Sequence, residues 1–317
     1  MPDLPELKHP WLVAAWPGMG NVGLNALVYL LSRLEMRMFR EIDVGDLFGA
    51  EEVEVQGGLI RPGRRPRHRF FLWEDPLRRH DQLVLLGEAQ PQWGQSEFCR
   101  KVLAQARELR VERVITFAAM ATAMHPQHRS RVYAAATTPE DLAELKRLEL
   151  EIVEEGQIGG LNGVLLGAAA ETGLRGVCLM GEMPHILMRL AFPKASQAVL
   201  EAFTTMAGIE LDFAMLAEQV AEMDQQLGAA LAAAERSNNG GEIAHSVEEF
   251  SPPSRVQDRL TEQQRERIEE LFAVAVRDRG RRFELKQALD QLQVFDLYED
   301  RFLDLFKPGE PEAGEAA

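Results

Sequence analysis

The sequence predicts an α/β fold, a sheet covered by helices, with a helical extension at the C-terminal end. Three observations predict it. Short apolar runs alternate with segments of helical apolar period from the start to about residue 190, which is the pattern of strands joined by helical crossovers. After Pro193 the period is helical only. A stretch rich in Gly, Asn, Ser and Pro at 237–254 carries no apolar period and sets the last two amphipathic segments apart.

The first strand is expected at 11–16, where Leu12-Val13-Ala14-Ala15 precede Pro17 and Gly18. A helix at 24–34 and a strand at 36–44 follow. Strands at 53–59 and 69–73 flank the turn-rich Arg61-Pro62-Gly63-Arg64-Arg65-Pro66 and are expected to pair as an antiparallel hairpin in an otherwise largely parallel pattern. The run Gln82-Leu83-Val84-Leu85-Leu86 is a strand, leading to a helix at 95–109 and strands at 113–117 and 131–135. Helices at 139–148 and 163–171 precede the last strand, 177–180. Segments 195–206 and 212–236 space apolar residues three and four apart, and 255–279 and 283–306 are expected to form an αα-hairpin meeting at Gly280. The domain expectations are an α/β domain at 1–236, a linker at 237–254, a helical hairpin at 255–307 and a disordered tail at 308–317.

The 317 residues include 50 acidic and 35 basic side chains, for a formal net charge of −15. A protein that coats nucleic acid is basic, so that class is disfavoured. The acidity is uneven: from Leu216 onward there are 22 acidic and 12 basic residues. Cys99 and Cys178 stand far apart, which suggests buried, inert thiols in a reducing compartment. The first residues lack a signal peptide's basic start and apolar run, and no apolar stretch reaches the roughly 18 residues of a membrane helix. A cytoplasmic location is expected.

The most informative stretch is Trp16-Pro17-Gly18-Met19-Gly20-Asn21-Val22-Gly23. It has the G-x-G-x-x-G spacing between a strand and a helix, with Glu41 or Asp43 about 20 residues on, as a dinucleotide site requires. The competing reading is a tight turn whose glycines let the helix approach the sheet. Pro17 removes one backbone donor and weakens the phosphate reading. A second glycine turn, Gly156-Gln157-Ile158-Gly159-Gly160-Leu161-Asn162-Gly163, also opens a helix. Two strands end alike, in Gly87-Glu88-Ala89-Gln90-Pro91 and Gly181-Glu182-Met183-Pro184. If those strands are parallel, both turns and both glutamates gather at the carboxyl edge of the sheet, where ligands of open α/β folds bind. The candidate cleft is then Gly18, Gly20, Asn21, Gly23, Gly159, Gly160 and Asn162.

These four motifs, in this order, resemble the PAC2 family, relatives of proteasome assembly chaperone 2; the resemblance covers roughly residues 10–224. It implies a phosphorylase/hydrolase-like mixed sheet with helices on both faces, no cofactor and no established catalytic activity. It also implies an assembly-chaperone-like, protein-binding role, and longer prokaryotic members carry a helical C-terminal addition like the segment after Pro253. Fold relatives build ring-like trimers, which makes a homotrimer the expected partner arrangement by analogy. Some proteasome-associated members end in a hydrophobic-Tyr-any tail, whereas this sequence ends Gly314-Glu315-Ala316-Ala317, so tail docking is not expected.

The alternative is a small-molecule or nucleotide-binding enzyme at the same sheet edge. Glu88 and Glu182 would then form a carboxylate pair with one member as general acid; otherwise each is an ion-pair or capping residue. Cys178 lies in an apolar strand with no basic neighbour, so a core thiol is expected rather than a nucleophile. No G-x-S-x-G elbow is present, and Pro126 between His125 and His128 breaks metal-ligand spacing. Arg61, Arg64, Arg65, Arg67 and Arg69 concentrate positive charge, for an anion, an acidic partner surface or simply a solvated hairpin tip. The apolar side chains after residue 260 exceed what a lone two-helix hairpin buries, so they are expected to pack in an oligomer, on the α/β body or on a client.

Overall fold

The computed structural model describes residues 6–48, 53–238, 260–292 and 294–307. The chain divides into two compact units, residues 1–124 with 129–211, and residues 125–128 with 212–317.

The first unit contains β1 (Trp11–Ala15), β2 (Arg37–Glu41), β3 (Val53–Gln56), β4 (Leu59–Pro62), β5 (His68–Trp73), β6 (Gln82–Gly87), β7 (Arg113–Thr122), β8 (Val132–Ala136), β9 (Glu151–Ile152) and β10 (Arg175–Pro184). Its helices are α1 (Val22–Arg33), α2 (Gln95–Glu108), α3 (Pro139–Arg147), α4 (Gly160–Glu171) and α5 (Pro193–Ala207). Eight strands form one mixed sheet in the order β2-β5-β6-β1-β7-β10-β8-β9. The central four, β6, β1, β7 and β10, are parallel. β1 and β6 are wholly buried, as are the first half of β7 and all of β10 after Arg175, as expected for parallel strands covered on both faces. Helices α2 and α4 pack together on one face, against Leu12, Ala14, Leu83 and Leu85; α1 and α5 pack together on the other.

Glycine sets how close these helices come. A Cβ on Gly23 of α1 would lie 2.4 Å from the Phe117 carbonyl oxygen of β7, and one on Gly181 of β10 would lie 2.5 Å from the Ala195 carbonyl oxygen of α5. At the margin of the sheet, Thr138 caps α3 by accepting from the Asp141 N–H at 3.2 Å. Asp141 is itself buried and pairs with Arg113 at 2.8 Å and with Arg175.

Several expectations need correction. Strand 53–59 does not pair with 69–73: β3 pairs with β4 across Gly57-Gly58, whose φ angles of +60° and +80° suit the tight turn, and this hairpin is a sheet of its own. β5 instead lies antiparallel between β2 and β6. β7 and β10 are ten residues long, twice or more the expected length, because small residues such as Ala118, Ala119 and Gly181 continue the ladder where the apolar run ends. The short β9 was not expected from the sequence.

The second unit contains α6 (Ala214–Asn238), α7 (Glu262–Arg277), α8 (Arg282–Gln291) and α9 (Phe295–Asp304). Thr261 and Gln264 form a reciprocal capping box at the start of α7. The helix expected at 283–306 is two helices, and the Val294 N–H turns back to the Leu289 carbonyl at 2.9 Å between them. This break lets Phe295, Phe302 and Phe306 join a core with Ile268, Leu271, Phe272, Leu285 and Leu289. Most of the expected linker at 237–254 and the expected tail at 308–317 lie outside the described residues. Among the described residues, no helix is long and apolar enough to cross a membrane.

Candidate functional site

Because β6, β1, β7 and β10 run in parallel, the segments that follow them share the carboxyl edge of the sheet. The first glycine turn follows β1. Gly20 and Asn21 sit at φ +58° and +47°, the left-handed region that favours glycine and tolerates asparagine. The Gly20 N–H donates to the Met188 carbonyl at 2.9 Å, and the Gly20 carbonyl accepts from the Phe192 N–H at 3.1 Å. The segment after β10 thus lies directly on this turn. A Cβ on Gly20 would meet the Met183 side chain at 2.8 Å, and Gly23 is pressed onto β7 as described. Gly18 is extended at φ −167°.

The second glycine turn reaches the same place through one side chain. The Leu161 N–H donates to Gln90 Oε1 at 2.9 Å, while Gln90 Nε2 donates to the Pro17 carbonyl at 2.9 Å. Gln90 therefore ties the two glycine turns together. Gly160, at φ +67°, would place a Cβ 2.7 Å from Gln90 Oε1. Gly159 is extended ahead of α4, and Asn162 follows with a buried Oδ1 that has no hydrogen-bond partner among the described residues.

The geometry does not make a dinucleotide site. β2 lies three strands from β1, roughly 14 Å at strand spacing, so neither Glu41 nor Asp43 flanks the first glycine turn. Glu41 holds Arg67 at 2.6 Å, and Asp43 accepts from the Gly45 N–H at 2.9 Å. Two amides of the turn, those of Gly20 and Asn21, bond within the protein.

Glu88 and Glu182 do not form a carboxylate pair either. They follow or end β6 and β10, again three strands apart, roughly 14 Å. The Glu88 carboxylate is buried between Arg64 at 2.8 Å and Arg69 at 3.3 Å, and accepts the Arg67 N–H at 2.8 Å. Glu182 accepts from Arg131 Nε and Nη2, both at 2.8 Å, and from the Thr122 hydroxyl at 2.7 Å. The Arg131 guanidinium holds Glu182 below the usual carboxylate range, more strongly than burial raises it. Glu182, held ionised in this way, has no proton to donate as a general acid. Burial pushes the Cys178 thiol up to about 11 and the Cys99 thiol up to about 12, which leaves both as thiols at neutral pH. Among the described residues no group of His, Cys, Asp or Glu could hold a metal ion.

The arginine loop is divided in its tasks. Arg64, Arg67 and Arg69 turn inward to Glu88 and Glu41, and Arg69 is fully buried. Arg65 donates to the Gly45 carbonyl at 2.8 Å, and Arg61 is exposed.

The carboxyl edge presents several large apolar side chains outward, beside exposed polar ones such as Arg131 and Arg189. Met19, Trp93, Ile186, Met188 and Leu190 are 41–66% exposed, and all five lie in segments that follow β1, β6 or β10. The half-buried Gln90 and Thr122 and the exposed Arg131 complete the edge. In the sequence Gln90 stands out only as part of a motif, with no role of its own, and 186–190 does not stand out as a site. The signal available was an apolar run, Ile186-Leu187-Met188 and Leu190, placed after a proline where neither strand nor long helix is expected. A cleft of 430 Å³ opens at the sheet margin by Arg131, lined also by Ser130, Leu150, Glu151, Ala198 and Glu201. Neither glycine turn lines it.

Comparison with known proteins bears on the same region. The family model of the PAC2 family matches residues 12–231. The uncharacterized protein MJ1210 of Methanocaldococcus jannaschii is 27% identical over 226 residues, which is 70% of this chain and 83% of that protein. The crystal structure of Pyrococcus furiosus PbaB, an archaeal proteasome activator, superposes with a TM-score of 0.61 at 27% identity, over 72% of this chain and 96% of that one. The Mycobacterium tuberculosis proteasome-assembly chaperone homologue Rv2125 shares the fold, with a TM-score of 0.61 at 21% identity over 70% and 95% of the two chains.

Proposed function

The chain belongs to the PAC2 family, and on that premise we propose that it is a non-enzymatic, protein-binding member that serves another protein assembly from the carboxyl edge of its sheet. One observation carries the reading. At the edge where an α/β enzyme gathers its reactive groups, this chain ties its glutamates into ion pairs and turns Met19, Trp93, Ile186, Met188 and Leu190 outward. Exposed apolar groups brought to one edge of a sheet are the kind of surface that protein contact sites use. The names of the relatives make a proteasome particle, or an intermediate in its assembly, the first client to test. We further propose a homo-oligomer, a trimer by analogy with fold relatives, working in the cytoplasm.

The test is binding of the purified full-length chain to proteasome core particles and α-subunits of its own organism, read by sedimentation. Met188→Asp and Leu190→Asp, both at exposed positions, are expected to weaken binding about tenfold or more, as loss of an interface anchor does. Glu88→Gln and Glu182→Gln are expected to bind as the parent does if they still fold. The reading is overturned if edge substitutions leave binding unchanged. It is equally overturned if a nucleotide, nucleoside or phosphate raises the melting temperature and the two glutamate variants abolish that rise.

A further inference from the structure

The turn between α7 and α8 reads Arg277-Asp278-Arg279-Gly280-Arg281-Arg282. Residues 262–291 are neutral, with seven basic and seven acidic side chains, yet four of the seven basic ones stand in these six positions. Along the helices basic and acidic residues meet: Arg267 pairs with Glu270 and Lys286 with Asp290. At the turn Arg281 is matched to Glu284 at 2.6 Å, and Asp278 accepts from the Gly280 N–H at 2.9 Å. Arg277, Arg279 and Arg282 have no ion pair among the described residues.

Arg282 is the buried member of this group, 6% exposed. Phe306 covers one face of its guanidinium, with Cζ 4.6 Å from the ring centroid, and Nε donates to the Ala275 carbonyl at 3.3 Å. That is its one hydrogen bond among the described residues. It uses one of five N–H donors and leaves both Nη groups, the end-on edge that grips two oxygens of an oxyanion, without a protein acceptor. The charged neighbour of Arg282 is Arg279, of the same sign. Burial first, and then Arg279, push the Arg282 pKa down to about 10, so the group is still charged at neutral pH. A buried charge that faces a like charge is unfavourable without a counter-ion. α8 also starts at Arg282 with no side-chain cap, which puts the positive end of the helix at the same point.

We propose that Arg279 and Arg282 form an anion site at the α7–α8 turn, and that its ligand is a phosphate-type oxyanion carrying two negative charges. The fork of Arg282 supplies the bidentate grip, Phe306 holds that fork in place, and Arg279 supplies the second charge. Two unmatched guanidiniums balance a dianion, which is why phosphate suits the site better than a single carboxylate does. The site is built from the second unit alone and makes no use of the carboxyl edge of the sheet.

Calorimetric titration of the full-length chain at constant ionic strength, with inorganic phosphate, pyrophosphate and acetate, tests this independently of any client. Phosphate or pyrophosphate is expected to bind once per chain, and acetate about tenfold or more weakly. Arg282→Lys keeps the charge but loses the fork, and is expected to weaken phosphate binding about tenfold or more. Arg279→Gln, at an exposed position that leaves folding intact, is expected to weaken it about tenfold. Glu88→Gln and Glu182→Gln are expected to bind phosphate as the wild type does, which separates this site from the sheet edge. No binding at about 10 mM phosphate or pyrophosphate, acetate binding as tight as that of phosphate, or binding that Arg279→Gln or a folded Arg282→Lys leaves unchanged would each overturn the proposal.

Discussion

His68 shows how the edge of the sheet limits chemistry at the level of one residue. The imidazole is fully buried between the rings of Phe48 and Phe98, both with centroids 4.7 Å away, and Nε2 lies 3.1 Å from the Ala89 carbonyl. Burial pushes its pKa down to about 4. Between that value and the ordinary 6.5, the unfolded chain binds a proton that the folded chain does not. Stability is therefore expected to fall as pH drops from about 6.5 to about 4, by about 3 kcal/mol in total, with no further loss from this group below that range. Urea unfolding at several pH values, compared between the wild type and His68→Gln, isolates the effect. Equal pH slopes in the two proteins would contradict it. Glu182 is the opposite case, a carboxylate whose pKa lies below normal because Arg131 holds it. Glu182→Gln removes the charge that the Arg131 guanidinium faces, and a loss of about 1–3 kcal/mol is expected in the same unfolding assay. A variant as stable as the wild type would show that the pair is not structural.

At the level of elements, the glycines divide into those that packing requires and those it does not. Gly23 and Gly167 both lie in helices. In an open helix, replacing Gly by Ala adds about 0.5–1 kcal/mol of stability. A methyl group placed on Gly167 would have no neighbouring atom within 4 Å, so Gly167→Ala is expected to stabilise by that amount. At Gly23 the methyl would lie 2.4 Å from a backbone oxygen that cannot step aside, and Gly23→Ala is expected to destabilise by about 1–3 kcal/mol. Thermal unfolding of the two variants gives the signs; the same sign for both would contradict this account of α1 packing.

The elements also show what was legible in the sequence. β1, β6 and the start of β7 are plain because fully buried parallel strands are unbroken apolar runs. The two glycine turns and the two Gly-Glu strand ends were readable as a set, and their common edge followed from the parallel pairing. The far halves of β7 and β10 were not, because Ala118 to Ala121 and Gly181-Glu182 resemble a strand's end until a neighbouring strand supplies the ladder. The placement of β5 was hidden for a related reason: Phe70-Phe71-Leu72 fits either an adjacent hairpin or an interior strand, and only the exposure of β4 against the burial of β5 decides. Pairing partners were hidden throughout. An Arg-rich loop and two glutamates are visible as residue types, but that Glu88 closes on Arg64 and Arg69 while Glu182 closes on Arg131 depends on strand order.

For the whole molecule, charge and apolar exposure are separated along the chain. The net charge of −15 is carried mainly by residues after Leu216, while the α/β unit presents exposed apolar side chains at one sheet edge. That edge argues for a client. The central claim is that the carboxyl edge binds protein. Hydrogen–deuterium exchange of the full-length chain with and without proteasome core particles tests it most directly. The expected result is slowed exchange at residues 17–21, 88–94 and 185–192 on adding the particles, with the amides of α2 and α4 unchanged. Exchange in those three segments that is unaltered by the particles but slowed by a nucleotide or phosphate would contradict it.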